Sequence, residues 1–271
     1  MPSELIKNNF RVNRLPHIWC PGCGHGILMR SVAAAIEELN IDKEKVCIVS
    51  GIGCSSRASG YLNFSTVHTL HGRALAFATG IKLANPSLHV IVISGDGDLT
   101  AIGGNHLIHA CRRNIDITTI VFNNNIYGMT GGQYSPTTPT GDFATTAPFG
   151  NIDKPFDVCD LACGAGATFV ARATAYHAKK MIDYVKKGIS HKGFSLVEGI
   201  SICPTYYGRK NKKGSPITLM NILKEKCIDI NLKNKLDNNQ TKDNIYIGVF
   251  KDVVMPEYTE EYDKLLNKVQ Q

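Results

Sequence analysis

The 271-residue sequence predicts a doubly wound parallel α/β sheet. Three observations point there. Short runs rich in Val and Ile lack the polar alternation of half-exposed strands, so they read as strands buried on both faces. Stretches with helical apolar spacing lie between them. Two of the runs stop in small polar turns, as strands do where a sheet opens to a ligand. Alternating strands and helices are satisfied by a parallel sheet with a helix layer on each side.

In chain order, "ILMRSVAAAIEEL" (27–39) reads as the first helix and "VCIVS" (46–50) as the first strand. A helix follows at 73–84, then the strand "HVIVIS" (89–94), a helix at 104–113 and the strand "ITTIVF" (117–122). The strand "TFVA" (168–171), a helix at 173–187 and the strand "SLVEGI" (195–200) complete the pattern. Residues 128–156 are rich in Gly, Thr and Pro and too long for an ordinary connection, so they read as a functional loop. The α/β domain is expected over residues 1–203. Residues 204–271 read as an extension that wraps the domain or contacts a partner, with 231–243 expected to be mobile.

Length suffices for one large domain with a substantial core. Apolar content of 43% and charged content of 20% fit a soluble globular protein. Residues 1–14 are polar with scattered charge, unlike a signal peptide. No run approaches the roughly 20 apolar residues of a membrane span. A cytoplasmic protein with no membrane association is the expectation. The net charge is +7, with its excess largely after Tyr207, in "GRKNKKG" and "LKEKCIDINLKNK". No nucleic-acid motif accompanies these residues and no aromatic residues interleave with them, which argues against a nucleic-acid partner. A basic rim that steers an acidic protein partner is the alternative.

Nine cysteines, an odd number without a secretory signal, argue for metal binding or catalysis over a disulfide framework. Cys47, Cys111, Cys159, Cys163 and Cys227 stand apart and read as small buried hydrophobes. Cys20 and Cys23 form a C-x-x-C in "WCPGCGHG". Cys54 follows the strand at 46–50, in "GIGCSS". Cys203 follows the strand at 195–200, in "GISICPT". Four thiolates suit either zinc or a [4Fe–4S] cluster.

"SGDGD" (94–98) and "NNN" (123–125) end neighbouring strands on one edge. Gly95 and Gly97 permit a tight turn and close backbone approach. Asp96 offers an anionic oxygen and Asn124 an amide oxygen, which suit Mg²⁺ shared with phosphate oxygens. Amides of a helix starting near Thr100 would add donors for a diphosphate. A zinc site has no reason to share an edge with a redox-capable cofactor, whereas an electron acceptor has.

With Asp96 and Asn124 28 positions apart, "GDGD" and "NNN" resemble the thiamine-diphosphate motif of thiamine-dependent enzymes. That resemblance gives Asp96, Asn124 and the Ile126 carbonyl to Mg²⁺. "WCPGCGHG", "GIGCSSR", "HTLHGRALAFATGIKLAN", "GDGD", "YGMTGGQYSPTTPTG" and "CPT", in this order, resemble the β subunit of 2-oxoacid:ferredoxin oxidoreductases over about residues 15–210. The resemblance implies thiamine diphosphate, Mg²⁺ and one [4Fe–4S] cluster on Cys20, Cys23, Cys54 and Cys203. It lines the cofactor with Ile52, Gly53, Cys54 and Ser55. It brings His71, Gly97, Asp98, Gly128 and Met129 to the diphosphate, under a cover formed by 131–133 and the Pro-Thr loop.

The implied activity is CoA-dependent oxidative decarboxylation of a 2-oxoacid, with electrons leaving through the cluster to ferredoxin or flavodoxin. The glutamate that thiamine enzymes need would come from a partner α subunit, leaving room for further small subunits. Arg57 and "CPTYYGRKN" are similar to 2-oxoglutarate members, with pyruvate or branched-chain acids as alternatives. Arg57 would meet the distal carboxylate. A self-contained thiamine decarboxylase or synthase would need a much longer chain and leave the four cysteines without a role. A zinc- or Fe–S-containing binding or electron-transfer module would leave "GDGD" and "NNN" unexplained.

Overall fold

The computed structural model describes residues 3–235 and 244–270. Helices α1 (Glu4–Asn9) and α2 (His25–Glu38) precede β1 (Val46–Ser50), β2 (Ser65–His68), α3 (Ala74–Ala84) and β3 (His89–Gly95). Then come α4 (Asp96–Thr100), α5 (Gly104–Arg113), β4 (Thr118–Asn123) and a small hairpin, β5 (Ile126–Tyr127) with β6 (Gln133–Tyr134). Next are α6 (Val158–Gly164), β7 (Phe169–Thr174), α7 (Ala178–Ser190) and β8 (Ser195–Ile200). Beyond Cys203 lie α8 (Pro216–Glu225), β9 (Cys227–Asp229), β10 (Ile245–Asp252) and α9 (Tyr258–Val269).

Eight strands form one sheet in the order β2-β1-β3-β4-β8-β7-β10-β9. From β2 to β7 every pairing is parallel. The five strands expected from the sequence are all present within it. β3 shows why they were recognisable. Ile91 and Ile93 enter the core on one side, with α2 and α7, while Val90 and Val92 enter the core on the other, with α3 and α5. Successive side chains point to opposite faces, so a strand covered on both faces must be apolar throughout.

Three departures have physical causes. β2 was missed because it is an edge strand of mixed, half-exposed residues. The helix expected from 173 begins at Ala178, because Ala173 and Thr174 are held in β7 by Gly199 and Ile200 of β8. After Cys203, β10 joins the sheet antiparallel to β7, with a register shift between Val249 and Lys251. Leu219 and Leu223, one turn apart on α8, pack into the α2–α7 core. Asn114 donates to the carbonyls of Met255 and Pro256, fixing the chain ahead of α9. Of the stretch expected to be mobile, 231–235 belongs to the 3₁₀ turn Ile230–Lys235, and 236–243 lie outside the described residues.

Candidate functional site

Because β1, β3, β4 and β8 are parallel neighbours, the residues after each strand emerge on one edge. Ser50 is in register with Ile93, Gly95 with Phe122, and Asn123 with Ile200. That register gathers 51–55, 96–98, 124–129 and 201–203 without long excursions. Between the first three segments lies a cleft of about 390 Å³, within the usual range for small-molecule sites. Its walls include Ile52, Gly53, Cys54, Ser55, His71, Asp96, Gly97, Asp98, Asn124, Ile126, Gly128 and Met129. All of the expected thiamine and magnesium residues therefore face one space.

Asp96 is only 2% exposed. Its Oδ2 accepts from Ser135 Oγ at 2.5 Å and Thr137 Oγ1 at 2.7 Å, both from the Pro-Thr loop. Its Oδ1 accepts a long 3.4 Å bond from the Asn124 amide, and the Asp96 backbone amide also faces the carboxylate. Burial pushes the Asp96 carboxyl upward, and the two hydroxyls offset this only in part. No cationic side chain among the described residues pairs with it. A buried carboxylate with one under-used oxygen, beside the Asn124 amide oxygen and the Ile126 carbonyl, fits a small divalent cation.

His25 was not foreseen, although it lies inside "WCPGCGHG". It is buried against the cleft, and burial lowers its pKa to about 3, so the ring is neutral. Its Nδ1 shares a 2.9 Å hydrogen bond with Ser201 Oγ, and its Nε2 lies 3.5 Å from Asn124 Nδ2. With Asn124 Nδ2 donating to Nε2, the amide oxygen is oriented as the acceptor and takes the Ile126 amide at 3.3 Å, with one lone pair still unused. Ser135 and Thr137 were visible only as parts of a covering loop.

The Asp98 carboxylate has a structural part besides the phosphate contact expected of this residue. Its carboxylate turns inward and accepts from Gly72 N at 2.7 Å, Ser94 Oγ at 2.6 Å and Ile52 N at 3.3 Å. His71 Nδ1 lies 2.9 Å from the same Oδ1 and 3.1 Å from the Ile52 carbonyl. Two acceptors at Nδ1 put the proton there and leave Nε2 for other partners. Asp98 thus ties two cleft walls together. Gly97 is required by its neighbour as well: a Cβ there would meet the Tyr127 ring at 2.4 Å.

The four grouped thiols come from three segments. A Cβ on Gly128 would lie 3.4 Å from Cys54 Sγ and 3.7 Å from Cys203 Sγ, so both sulfurs flank a residue of the cleft. Burial pushes Cys23 up to about 12, with further upward pressure from Cys203, Cys54 and Cys20, partly countered by the His25 amide. Burial, then Cys203 and Cys20, raises Cys54 to about 11. All four are therefore neighbours. Yet among the described residues no three His, Cys, Asp or Glu side chains converge on a single ion. Cys47, Cys111 and Cys159 are buried elsewhere, and Cys163 and Cys227 are half-buried. Arg57 is exposed, on the 3₁₀ turn after Cys54, and does not line the cleft.

A parallel sheet whose strand ends build an Asp–Asn cation cradle defines a thiamine-diphosphate-binding enzyme domain. Residues 51–199 match the family described as thiamine pyrophosphate enzyme, C-terminal TPP binding domain. The chain is 54% identical over 259 residues to 2-oxoglutarate synthase subunit KorB of Methanocaldococcus jannaschii, covering 96% of each chain. It is 50% identical to the KorB subunit of Archaeoglobus fulgidus, covering 94% of this chain and 92% of that one. A solved 2-oxoglutarate:ferredoxin oxidoreductase from Magnetococcus marinus, with 2-oxoglutarate, coenzyme A and succinyl-CoA bound, superposes with a TM-score of 0.88 at 32% identity. That match covers 100% of this chain and 92% of the other. The chain belongs to the KorB family, the β subunits of 2-oxoacid:ferredoxin oxidoreductases. Among the described residues no helix is long and apolar enough to cross a membrane.

Proposed function

We propose that this chain is the cofactor-bearing β subunit of an enzyme that converts 2-oxoglutarate and coenzyme A to succinyl-CoA and carbon dioxide. It would pass the released electrons to ferredoxin or flavodoxin. The observation that carries this reading is Gly128. It lines the cleft with Asp96 and Asn124, and it is flanked by the sulfurs of Cys54 and Cys203. A cation cradle and a thiol cluster thus share one wall, as an electron source and its first acceptor require.

When bound, thiamine diphosphate supplies a nucleophilic carbon and an electron sink for decarboxylation. This chain's residues would hold and orient it. Asp96, Asn124 and the Ile126 carbonyl would hold Mg²⁺ against the diphosphate. Gly97, Asp98, Gly128 and Met129 would border the phosphates with backbone atoms, and His71 would present Nε2. Cys20, Cys23, Cys54 and Cys203 would hold one [4Fe–4S] cluster. His25 would keep the Asn124 oxygen aimed at the cation.

No glutamate lines the cleft among the described residues, and Ile52 and Met129 on its wall are exposed. Both facts favour an active site completed by an α subunit. The names of the relatives favour 2-oxoglutarate. Arg57 is the candidate partner for its distal carboxylate, although it lies outside the cleft lining.

The test is anaerobic co-purification with the α subunit, followed by iron, sulfide, zinc and thiamine analysis and assays on several 2-oxoacids. The expected result is a brown complex containing four irons and one thiamine diphosphate per β subunit, with 2-oxoglutarate preferred over pyruvate. Arg57→Ala should narrow that preference. Colourless protein with stoichiometric zinc would favour a binding module, and full activity of the isolated chain would refute the shared site.

A further inference from the structure

We propose that the basic strap at 209–212, mounted on the turn after Cys203, is the docking surface for an acidic one-electron carrier. The inference rests on the reading that the four thiols hold a redox cluster, and it names the face through which electrons leave.

The strap is fixed to the fourth cysteine. The Gly208 amide donates to the Cys203 carbonyl at 2.8 Å, and the Lys213 amide donates to the Gly208 carbonyl at 2.8 Å. Residues 203–213 therefore form a compact turn rather than a free tail. At its far end, Pro216 abuts the other thiol pair: a Cβ on Gly22 would fall 2.5 Å from Pro216 Cβ. Cys20, two residues before Gly22, is the one exposed member of the four cysteines. The segment that carries the cations thus leaves Cys203 at one end and packs against the Cys20–Cys23 turn at the other.

The charge of this surface is uncompensated. From Gly199 to Lys224 the chain contains no Asp or Glu. Lys213 is bound by Asp142 at 2.9 Å and lies 4.5 Å over the Tyr207 ring. Arg209, Lys210 and Lys212 are exposed, and no carboxylate among the described residues pairs with them. Three unpaired cations on a rigid turn contribute little to folding, since the fold is already closed by Lys213 and α8. They do create a local positive field that raises the encounter rate of an anionic partner.

Oxidative decarboxylation releases an electron pair, and a carrier of this class accepts electrons singly. A carrier must therefore dock, take one electron from the cluster and depart, twice per turnover. Steering by exposed charge suits such brief encounters, because it speeds association without adding the desolvated contacts that slow release.

The test uses the assembled αβ enzyme with Arg209→Glu, Lys210→Glu and Lys212→Glu combined, and a second variant with Gln at the same positions. The probes are a small ferredoxin of strongly acidic pI and the dye methyl viologen. At low salt, kcat/KM for ferredoxin should fall at least about tenfold in the Glu variant and less in the Gln variant, within the range attributed to steering. Its salt dependence should flatten, while dye reduction stays unchanged. Ferredoxin Kd should rise in parallel. Carbodiimide should cross-link ferredoxin to Lys210 or Lys212 of the wild type. Unchanged ferredoxin kinetics and binding would overturn the proposal. So would loss of the α subunit from the variant on size exclusion, which would assign the strap to subunit assembly. If the wild-type complex reduces neither ferredoxin nor dye with any 2-oxoacid, the proposed function itself fails.

Discussion

Replacing Asp98 by Ala should loosen the cleft wall before it unfolds the protein. The carboxylate is buried and accepts short bonds from the Gly72 amide and Ser94 hydroxyl, a longer one from the Ile52 amide, and a contact from His71 Nδ1. Hydrogen bonds to charged groups contribute about 1.5–3 kcal/mol each, so the two short bonds alone represent about 3–6 kcal/mol. Removing a buried charge returns part of that through relief of its desolvation. A net local cost of about 2–4 kcal/mol follows. The Gly72 amide, buried and left without its acceptor, should report it most directly. Hydrogen exchange by mass spectrometry on the assembled enzyme should show this amide exchanging roughly 30- to 1,000-fold faster, since 1.36 kcal/mol is a factor of ten. Asp98→Asn retains an acceptor for Gly72 and should recover most of the protection. If the peptides containing Ile52 and Gly72 keep wild-type protection in Asp98→Ala, the tying role is wrong.

Asp96→Asn should leave the thermal midpoint unchanged or higher, because it removes a buried, incompletely compensated charge. The same change should weaken magnesium-dependent thiamine diphosphate retention by more than the roughly 10–100-fold typical of losing an outer-shell partner, measured by titration of the stripped complex. Arg172→Met should cost about 3–5 kcal/mol in urea unfolding, because Arg172 is the cation facing Glu198, which is 1% exposed. Adding Glu198→Gln should restore more than half, since Gln still accepts from Asn123 and Asp157 has solvent access.

The strands most legible in the sequence were those covered on both faces, because Val- and Ile-rich runs such as 89–94 allow one placement. β2 and β9 carry no such signal, and β10 was hidden in an extension whose role emerges only when it pairs with β7. At the site, the placement of Asp96, Asn124, Cys54 and Cys203 on one edge was legible because each lies just past a buried strand. The roles of His25, Ser135 and Thr137 were not. A histidine that orients an amide, or a hydroxyl that fixes a carboxylate, is defined by which atom meets which. The structural part of Asp98 was hidden for the same reason: its place in "GDGD" puts it beside the cleft, but only the positions of Gly72 and Ser94 turn its carboxylate inward.

The buried carboxylates near this edge show how selective the site is. Glu198 is neutralised by Arg172 and receives a 2.7 Å bond from Asn123 Nδ2. Asp98 is met by two backbone amides, a hydroxyl and an imidazole N–H. Asp96 has two hydroxyls on one oxygen, a long contact from the Asn124 amide on the other and its own backbone amide, with no cation or imidazole among the described residues. Of these three buried acids, Asp96 therefore keeps the weakest compensation, which supports the proposed cation role. The hydroxyls of Ser135 and Thr137 fix Oδ2, so the remaining oxygen faces the same space as Asn124 and the Ile126 carbonyl. Asn123 joins the two systems. Its amide nitrogen donates to Glu198, while its oxygen accepts from Thr137, the residue that holds Asp96. The Arg172–Glu198 pair thereby fixes which way the Asn123 amide faces, and through Thr137 it bears on the carboxylate proposed to hold the cation.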